Sequence, residues 1–270
     1  MAKSAELKPP LSAARWLTAN RMPFRRLSLS VCLVLAAACQ ASPLSESAHS
    51  TAGQETNQAC VILLHGLARS DRSMQPIADA LSTAGYRVVN QDYDSRGAQI
   101  NQLANQALPA ALKRCGSAGR VHVVTHSMGG ILLRQYLSTH RIKQLGRAVM
   151  LGPPNHGSEA VDHLKNAPGF NLINGAAGSQ LGTDPDSVPN TLGAWPADKA
   201  QLGIIAGTST ISWLSFVLPG ADDGKVTLKS TKLRGMQDHI ALPVTHTFMM
   251  GSDEVHQQVL SFLRSGKFSR

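Results

Sequence analysis

The sequence has few of the features that indicate a metal site or a nucleic-acid interface. Its four cysteines and ten histidines include no spaced set of Cys and His ligands, so no metal is required and no cofactor is predicted. Aromatic residues make up only 4% of the chain and nowhere interleave with a stripe of Lys and Arg, so nucleic acid is not an expected partner. There is no internal repeat, and a hydrophobic content of 43% over 270 residues indicates one globular domain with a sizeable core.

The chain also lacks an apolar run long enough for a comfortable bilayer span, which needs roughly 20 residues. Its apolar segment of about a dozen residues follows Arg25 and Arg26 and ends in Ala-Ala-Ala-Cys at Cys39. A positive segment, a short apolar segment and small residues in this order indicate an export signal. We therefore predict a signal peptide over residues 1–39, and Met22 is an alternative start that would give a signal of ordinary length.

The end of this signal resembles a bacterial lipobox, in which the cysteine is lipidated and becomes the new N-terminus. Cys39 is then the predicted lipidation site, and it would anchor the exported protein to a membrane of the cell envelope, facing the periplasm. The alternative is a plain secretory signal cut near Ala38 or Ala41. Residues 40–58 are mainly Ser, Ala, Thr, Gln and Glu, which predicts a flexible tether. Residues 1–39 also carry most of the charge surplus, since the net charge of +9 falls to +4 without them.

From residue 59 onward, short apolar runs alternate with helical patterns. The strand-like segments are 60–64, 86–89, 121–124, 146–151, 202–206 and 238–244, and the helical segments are 70–84, 98–114, 131–137 and 251–263. This alternation predicts an α/β fold with about six mostly parallel strands, helices on both faces, and a site at the carboxyl ends of the strands. Residues 153–200 interrupt it with many Pro, Gly and Asn, which predicts either a lid or binding wall or an ordinary helical insertion.

The segment 121–130 places a serine between a strand and a helix. A serine on such a turn is raised clear of the sheet, and the helix behind it supplies free N–H groups for a developing oxyanion, so Ser127 is the candidate nucleophile. Thr125 occupies the position where the strict Gly-x-Ser-x-Gly pattern has glycine. The alternative is that Ser127 only caps the helix. His126, which precedes the serine, is interpreted as structural.

Five segments together resemble the α/β-hydrolase superfamily, and within it small bacterial triacylglycerol lipases and esterases. They are His65-Gly66, the segment 121–130, and residues 152–158, 222–226 and 244–247. The resemblance covers roughly residues 59–266, with the motifs in the family's order of nucleophile, acid and base. It implies a compact α/β-hydrolase domain over 59–270, with an insertion at about 153–200.

Carried over residue by residue, the resemblance implies a triad of Ser127 as nucleophile, His246 as general base and Asp223 as the acid. Asp223 is preferred because it immediately precedes the glycine of an Asp-Gly-x-Val motif. Asp222 is the first alternative for the acid, and Asp238 is the second. The implied oxyanion donors are the backbone N–H groups of Leu67 and Met128.

Three further residues are candidates for the substrate pocket: His156, Trp213 and Phe216. His156 follows the fourth predicted strand, whereas the two aromatic residues lie in an apolar segment just before the acid. A calcium site of the kind that some related lipases have stays an alternative to a metal-free enzyme, with Asp253 as its candidate ligand.

Export also bears on the remaining cysteines. In this fold Cys60 and Cys115 lie at the same edge of the sheet, and an oxidising compartment would join them in a disulfide.

The function implied is hydrolysis of carboxylic esters through an acyl-enzyme, with an acyl ester or lipid as substrate. The chain is expected to act as a monomer and to contact the membrane through its lipid anchor. One alternative is acyl transfer, thioester cleavage or amide cleavage with the same triad. Another is a non-catalytic envelope lipoprotein that keeps the fold as a binding scaffold.

Overall fold

The computed structural model describes residues 58–196, 198, 200–211 and 218–270. The predicted signal peptide, the lipidation site Cys39, nearly all of the predicted tether, and the pocket candidates Trp213 and Phe216 lie outside these residues. In the part of the chain that is described, no helix combines the length and the apolar character that a bilayer span requires.

A sheet of six strands forms the centre of the described domain. The strands are β1 (Cys60–Leu64), β2 (Arg87–Gln91), β3 (Val121–His126), β4 (Leu145–Leu151), β5 (Gln201–Gly207) and β6 (Asp238–Leu242). Their spatial order is β2-β1-β3-β4-β5-β6, and every neighbouring pair is parallel. The predicted fold class is therefore confirmed.

Helices cover both faces of this sheet. They are α1 (Gln75–Thr83), α2 (Ile100–Cys115), α3 (Met128–Thr139), α4 (Glu159–Leu164), α5 (Phe170–Ser179), α6 (Val188–Thr191), α7 (Leu228–Thr231) and α8 (Asp253–Ser265). Helices α1 and α8 pack on one face, where Ile77 and Phe262 are fully buried, and α2 and α3 bury Leu108 and Ile131 on the other. Burial of both faces explains why the central strands are continuous apolar runs instead of alternating ones.

Three short helices, α4 to α6, occupy the connection between β4 and β5. The two interpretations of residues 153–200, a lid or binding wall and an ordinary helical insertion, both stay predictions. Arg134 on α3 attaches the connection to the core. Its guanidinium is buried and donates hydrogen bonds to the backbone carbonyls of Asn155, Pro189 and Gly193, at 2.7–3.0 Å. The insertion thus begins and ends against one side chain of the central domain.

The predicted disulfide between Cys60 and Cys115 is present, with the two Cα atoms 5.8 Å apart. It links the start of β1 to the last residue of α2, and both cysteines are fully buried. The prediction succeeded because β1 and β3 are neighbours, which brings the helix that leads into β3 back to the amino end of β1.

Candidate active site

The turn between β3 and α3 holds Ser127 in a backbone conformation that side-chain-bearing residues rarely adopt, with φ of 53° and ψ of −124°. Strain of this kind costs about 1–3 kcal/mol and persists only where the surroundings enforce it. Here the Ser127 N–H donates to the carbonyl of Leu151 (2.8 Å), and the Gly130 N–H donates to the carbonyl of Ser127 (2.9 Å). The serine is therefore fixed on a tight turn at the carboxyl edge of the sheet.

Glycine at 129 allows the helix behind this serine to approach β1. A Cβ atom at Gly129 would lie 2.5 Å from the carbonyl oxygen of Leu64 and 2.8 Å from that of His65, both of them backbone atoms that cannot give way easily. Thr125, which replaces the first glycine of the strict pattern, is fully buried at the end of β3, and its φ is not positive. The absence of that glycine therefore brings no backbone strain.

The structure brings Ser127, His246 and Asp223 together. His246 Nε2 lies 3.0 Å from Ser127 Oγ, and His246 Nδ1 lies 2.7 Å from Asp223 Oδ2. The second carboxylate oxygen of Asp223 accepts the backbone N–H groups of Lys225 (3.1 Å) and Val226 (2.9 Å), which fixes its orientation. With the Nδ1 proton directed to the carboxylate, Nε2 is free to accept the proton of the serine hydroxyl.

The two alternative acids have other partners. Asp222 is also buried, but its Oδ1 accepts the backbone N–H of Gly224 at 2.7 Å and so stabilises the turn that follows. Asp238 begins β6, where its carboxylate accepts the backbone N–H of Phe268 (3.0 Å) and pairs with Arg270 (2.6 Å). Only Asp223 among the three contacts His246.

Gly152 lies beside this triad, and the sequence analysis gave it no role. It follows β4 with φ of +54°, and a Cβ atom there would lie 3.0 Å from Asp223 Oδ2 and 3.1 Å from His246 Nδ1. Both the backbone conformation and the space thus favour glycine. The sequence could have indicated this role, because Gly152 begins the segment 152–158, one of the five that resemble the family.

His126 also contacts His246. Its Nε2 lies 2.9 Å from the carbonyl oxygen of His246, so it must donate its proton there, and the two rings lie 4.8 Å apart between centroids. Burial, reinforced by the charge of His246, lowers the pKa of His126 well below its ordinary value, so the ring is neutral. His126 therefore holds the loop that carries His246. The sequence indicated a structural residue but not this contact.

The two implied oxyanion donors flank the serine. Met128 begins α3, and Leu67 lines the same pocket as Ser127. Within the described residues, neither backbone N–H donates to a protein acceptor. His65 and Tyr93 hold the loop that carries Leu67. Their rings stack with centroids 4.1 Å apart, and the Tyr93 hydroxyl donates to the backbone carbonyl of His65 (2.6 Å).

A pocket of about 240 Å³ opens beside the serine and the histidine. The insertion supplies most of its apolar lining, namely Ala160, Val161, Leu164, Phe170, Ile173 and Leu181. His156 does not line it: the residue is exposed, and its backbone N–H donates to the carbonyl of Ser230 (3.1 Å). A polar residue that follows a strand is weak evidence for a pocket residue, because the chain can turn towards the pocket or away from it there.

The candidate calcium ligand Asp253 begins α8, with its carboxylate 98% exposed and 3.8 Å from His256 Nδ1. In the ranges that the structure describes, no group of three or more His, Cys, Asp or Glu residues is placed to hold a metal ion.

Comparison with known proteins identifies the family to which this fold and site belong. A sequence model described as "Alpha/beta hydrolase family" matches residues 61–259. No curated protein sequence matches the chain.

The mature lipase BlEst2 of Bacillus licheniformis is similar in structure, with a TM-score of 0.58 at 18% identity over 77% of this chain and 91% of that one. A thermophilic esterase of Thermogutta terrifontis gives 0.52 at 15% identity, over 77% and 90%. An esterase of Pyrococcus furiosus gives 0.52 at 18% identity, over 78% and 83%. These identities bear on the fold alone, but the family model covers most of the chain, and the chain belongs to the alpha/beta hydrolase family.

Proposed function

We propose that this hydrolase cleaves carboxylic esters by nucleophilic catalysis at Ser127. The observation that carries the proposal is the continuous hydrogen-bonded series from Ser127 Oγ through His246 to Asp223, at 3.0 Å and 2.7 Å. A serine hydroxyl is a poor nucleophile until a base takes its proton, and this series supplies the base and the group that orients it. The apolar pocket beside the serine supports an acyl chain as the part of the substrate that is bound.

In the first step Ser127 Oγ attacks the ester carbonyl carbon while His246 Nε2 takes the hydroxyl proton. The carbonyl oxygen becomes an oxyanion that the N–H groups of Leu67 and Met128 would stabilise, each worth about 10²–10³ in rate. The bond between the carbonyl carbon and the alcohol oxygen then breaks, and His246 returns the proton to the leaving alcohol. Asp223 stabilises the imidazolium throughout.

Water completes the reaction. It attacks the acyl-enzyme carbonyl as His246 takes one of its protons, and the carboxylic acid leaves as the proton returns to Ser127 Oγ. The products are one acid and one alcohol, and no cofactor is consumed. A substrate thioester or amide would follow the same steps with a different leaving group, and an alcohol in place of water would give acyl transfer.

A fluorophosphonate probe tests the proposal directly, because it labels only a serine that a neighbouring base has activated. We expect the folded wild type to be labelled at Ser127 and Ser127→Ala to stay unlabelled. Butanoyl derivatives with an ester, thioester or amide bond then establish the bond class, and we expect the highest kcat/KM for the ester. A wild type that resists the probe and cleaves none of the three would contradict the proposal and favour a binding scaffold.

We also propose that the protein is an exported lipoprotein anchored through Cys39, with the enzyme facing the periplasm. The support is the lipobox-like sequence, together with a disulfide between Cys60 and Cys115, since disulfides persist in oxidising compartments. Cys39→Ala should move the protein from the membrane fraction to the soluble fraction, whereas Cys32→Ala should leave it in the membrane. A wild type that is soluble without detergent would contradict the anchor.

A further inference from the structure

The pocket beside Ser127 has two chemically different parts. The insertion contributes its apolar wall, whereas two cationic side chains, Arg69 and Lys225, line it together with Ser127 and His246. No Asp or Glu from the described residues lines the pocket. Arg69 follows the oxyanion donor Leu67 by two residues, and Lys225 follows the triad acid by two. The positive charge is therefore carried by the two loops that also carry the proposed catalytic groups.

Neither cation has an acidic partner in the part of the chain that the structure describes. No carboxylate there forms an ion pair with Arg69 or Lys225. The nearby Asp223 is occupied by His246 and by backbone N–H groups. Glu159 Oε1 accepts a hydrogen bond from the Thr227 hydroxyl (3.2 Å), whereas its buried Oε2 has no hydrogen-bond partner among the described residues. Other cations of this chain, such as Lys165 beside Asp184 at 2.7 Å, do have such a partner.

The two charges also act on each other. Lys225 is exposed as a whole, but partial desolvation at the pocket and the positive charge of Arg69 lower its pKa, and the charge of Asp223 acts in the opposite direction. Burial is the main cause of the lowered pKa of His126 beneath the site, and the same two cations contribute a smaller part. Two like charges at one pocket, which Asp223 offsets only in part, repel each other, and a bound anion relieves this repulsion.

We propose that this pocket selects acyl esters whose alcohol part carries a phosphate group, which Arg69 and Lys225 bind while the acyl chain lies along the apolar wall. The inference rests on the proposed ester hydrolysis and names its substrate class. Guanidinium and ammonium groups are the side chains that bind phosphate oxygens, Arg in a bidentate manner and Lys as a point charge. The reaction is the same hydrolysis: the bond between the acyl carbon and the alcohol oxygen breaks, water supplies the carboxylic acid's hydroxyl, and the phosphorylated alcohol leaves with its phosphate intact.

Three soluble esters with the same butanoyl chain test the charge preference: 1-butanoyl-glycerol-3-phosphate, 1-butanoyl-glycerol and butanoylcholine. For the wild type we expect kcat/KM to fall in that order, with the anionic ester preferred over the neutral one by roughly tenfold. Raising the salt from about 20 mM to about 500 mM should reduce this preference, because both cations are partly solvated. This salt test needs no variant.

The double variant Arg69→Gln/Lys225→Gln should lose most of the tenfold preference, measured as the ratio of its own kcat/KM for the anionic ester to that for the neutral ester. Arg72→Gln/Lys229→Gln is the matched control, since both residues are exposed cations close in sequence that do not line the pocket. Equal rates on the anionic and neutral esters in the wild type, or an undiminished preference in the double variant, would overturn the inference. Failure to cleave any of the three esters would instead contradict the proposed function.

The phosphate could belong to a lipid head group or to a soluble acylated alcohol. The dodecanoyl homologue of the anionic ester, presented in micelles of a neutral detergent, separates these sources. A higher kcat/KM on micelles than on the butanoyl ester in solution assigns the site to a phospholipid. A lower value assigns it to a soluble ester.

Discussion

At the scale of single residues, neighbouring aspartates have separate duties. Asp223 contacts His246, the proposed base, whereas Asp222 stabilises a turn, although both are buried and adjacent in the chain. The alternation of side chains along an extended segment explains why only one of them can face His246. The sequence supplied this argument, and the structure supplied the partner of each carboxylate.

We predict that Asp223→Asn lowers kcat by about 10⁴, because an amide favours the wrong tautomer of His246. Its thermal unfolding should stay close to that of wild type, since the amide oxygen can still accept a backbone N–H group. Asp222→Asn is the matched control and should keep most of the activity, because its amide oxygen can still accept from Gly224. Ester hydrolysis and melting curves of both variants decide the matter, and the reverse ranking would move the acid to Asp222.

The contact between His126 and the carbonyl of His246 gives a second prediction at this scale. His126→Phe fills the same space but removes the donor, so the loop that carries the base loses one restraint. We expect kcat to fall by roughly tenfold with KM little changed, as for a group that positions another.

His122→Phe is the control for this variant. His122 lies on the same strand and is equally buried, but its Nδ1 accepts the backbone N–H of Arg147 (2.9 Å), away from the triad. Its loss should reduce stability and leave kcat near wild type. Equal losses of kcat in the two variants would show that His126 acts only through the stability of the strand.

At the scale of secondary-structure elements, one buried guanidinium binds the insertion near both of its ends. Burial lowers the pKa of Arg134 to about 10, so the group stays charged at neutral pH and its charge is compensated by carbonyl and amide oxygens instead of a carboxylate. Arg134→Met should leave several acceptors without a donor and lower the free energy of unfolding by about 3 kcal/mol.

Arg141→Met is the matched control for this substitution, because the Arg141 side chain is 81% exposed and its ion pair with Asp198 is long, at 3.9 Å. It should change stability by less than about 0.5 kcal/mol. Denaturant unfolding of both variants measures the difference, and equal midpoints would refute the attachment of the insertion through Arg134.

The strands and helices of the central domain could largely be predicted from the sequence. The helices of the insertion, and side-chain contacts between residues far apart in the chain, could not. Central strands such as β1 and β3 are apolar throughout because both faces are buried, and that pattern is unambiguous. Helix α5 is the opposite case: Gly175 interrupts its helical geometry, so no regular period exists to detect. The contact of His126 with His246 joins residues 120 positions apart, which no local pattern encodes.

At the scale of the whole molecule, buried histidines should make the fold sensitive to acid. Burial lowers the pKa of the buried His65, His122 and His126, and partial burial lowers that of His239. For His122 the folded value is about 4, against an ordinary value of 6.5. The unfolded chain therefore binds more protons between these values, and stability must fall as the pH drops below about 6.5.

The expected result is a melting temperature that is nearly constant from pH 8 to about pH 7 and then decreases steadily towards about pH 4. The difference between the folded and the ordinary pKa of His122 alone corresponds to roughly 3 kcal/mol in the free energy of unfolding. His122→Gln should therefore flatten part of the decrease, while His140→Gln, at an exposed histidine, should not. A wild-type melting temperature independent of pH over this range would contradict the prediction.

The wide spacing of the triad along the chain has a consequence for biosynthesis. Ser127 and His246 are separated by 119 residues, and His246 follows β6, an edge strand of the sheet, which pairs with β5. A nascent chain therefore exposes its nucleophile long before the base emerges, and the two meet only after β4, β5 and β6 have been added in parallel register. Premature termination at any of these strands would yield a polypeptide without the proposed esterase activity. Recovery of activity during refolding would then report the arrival of the last strand, later than the appearance of helical structure.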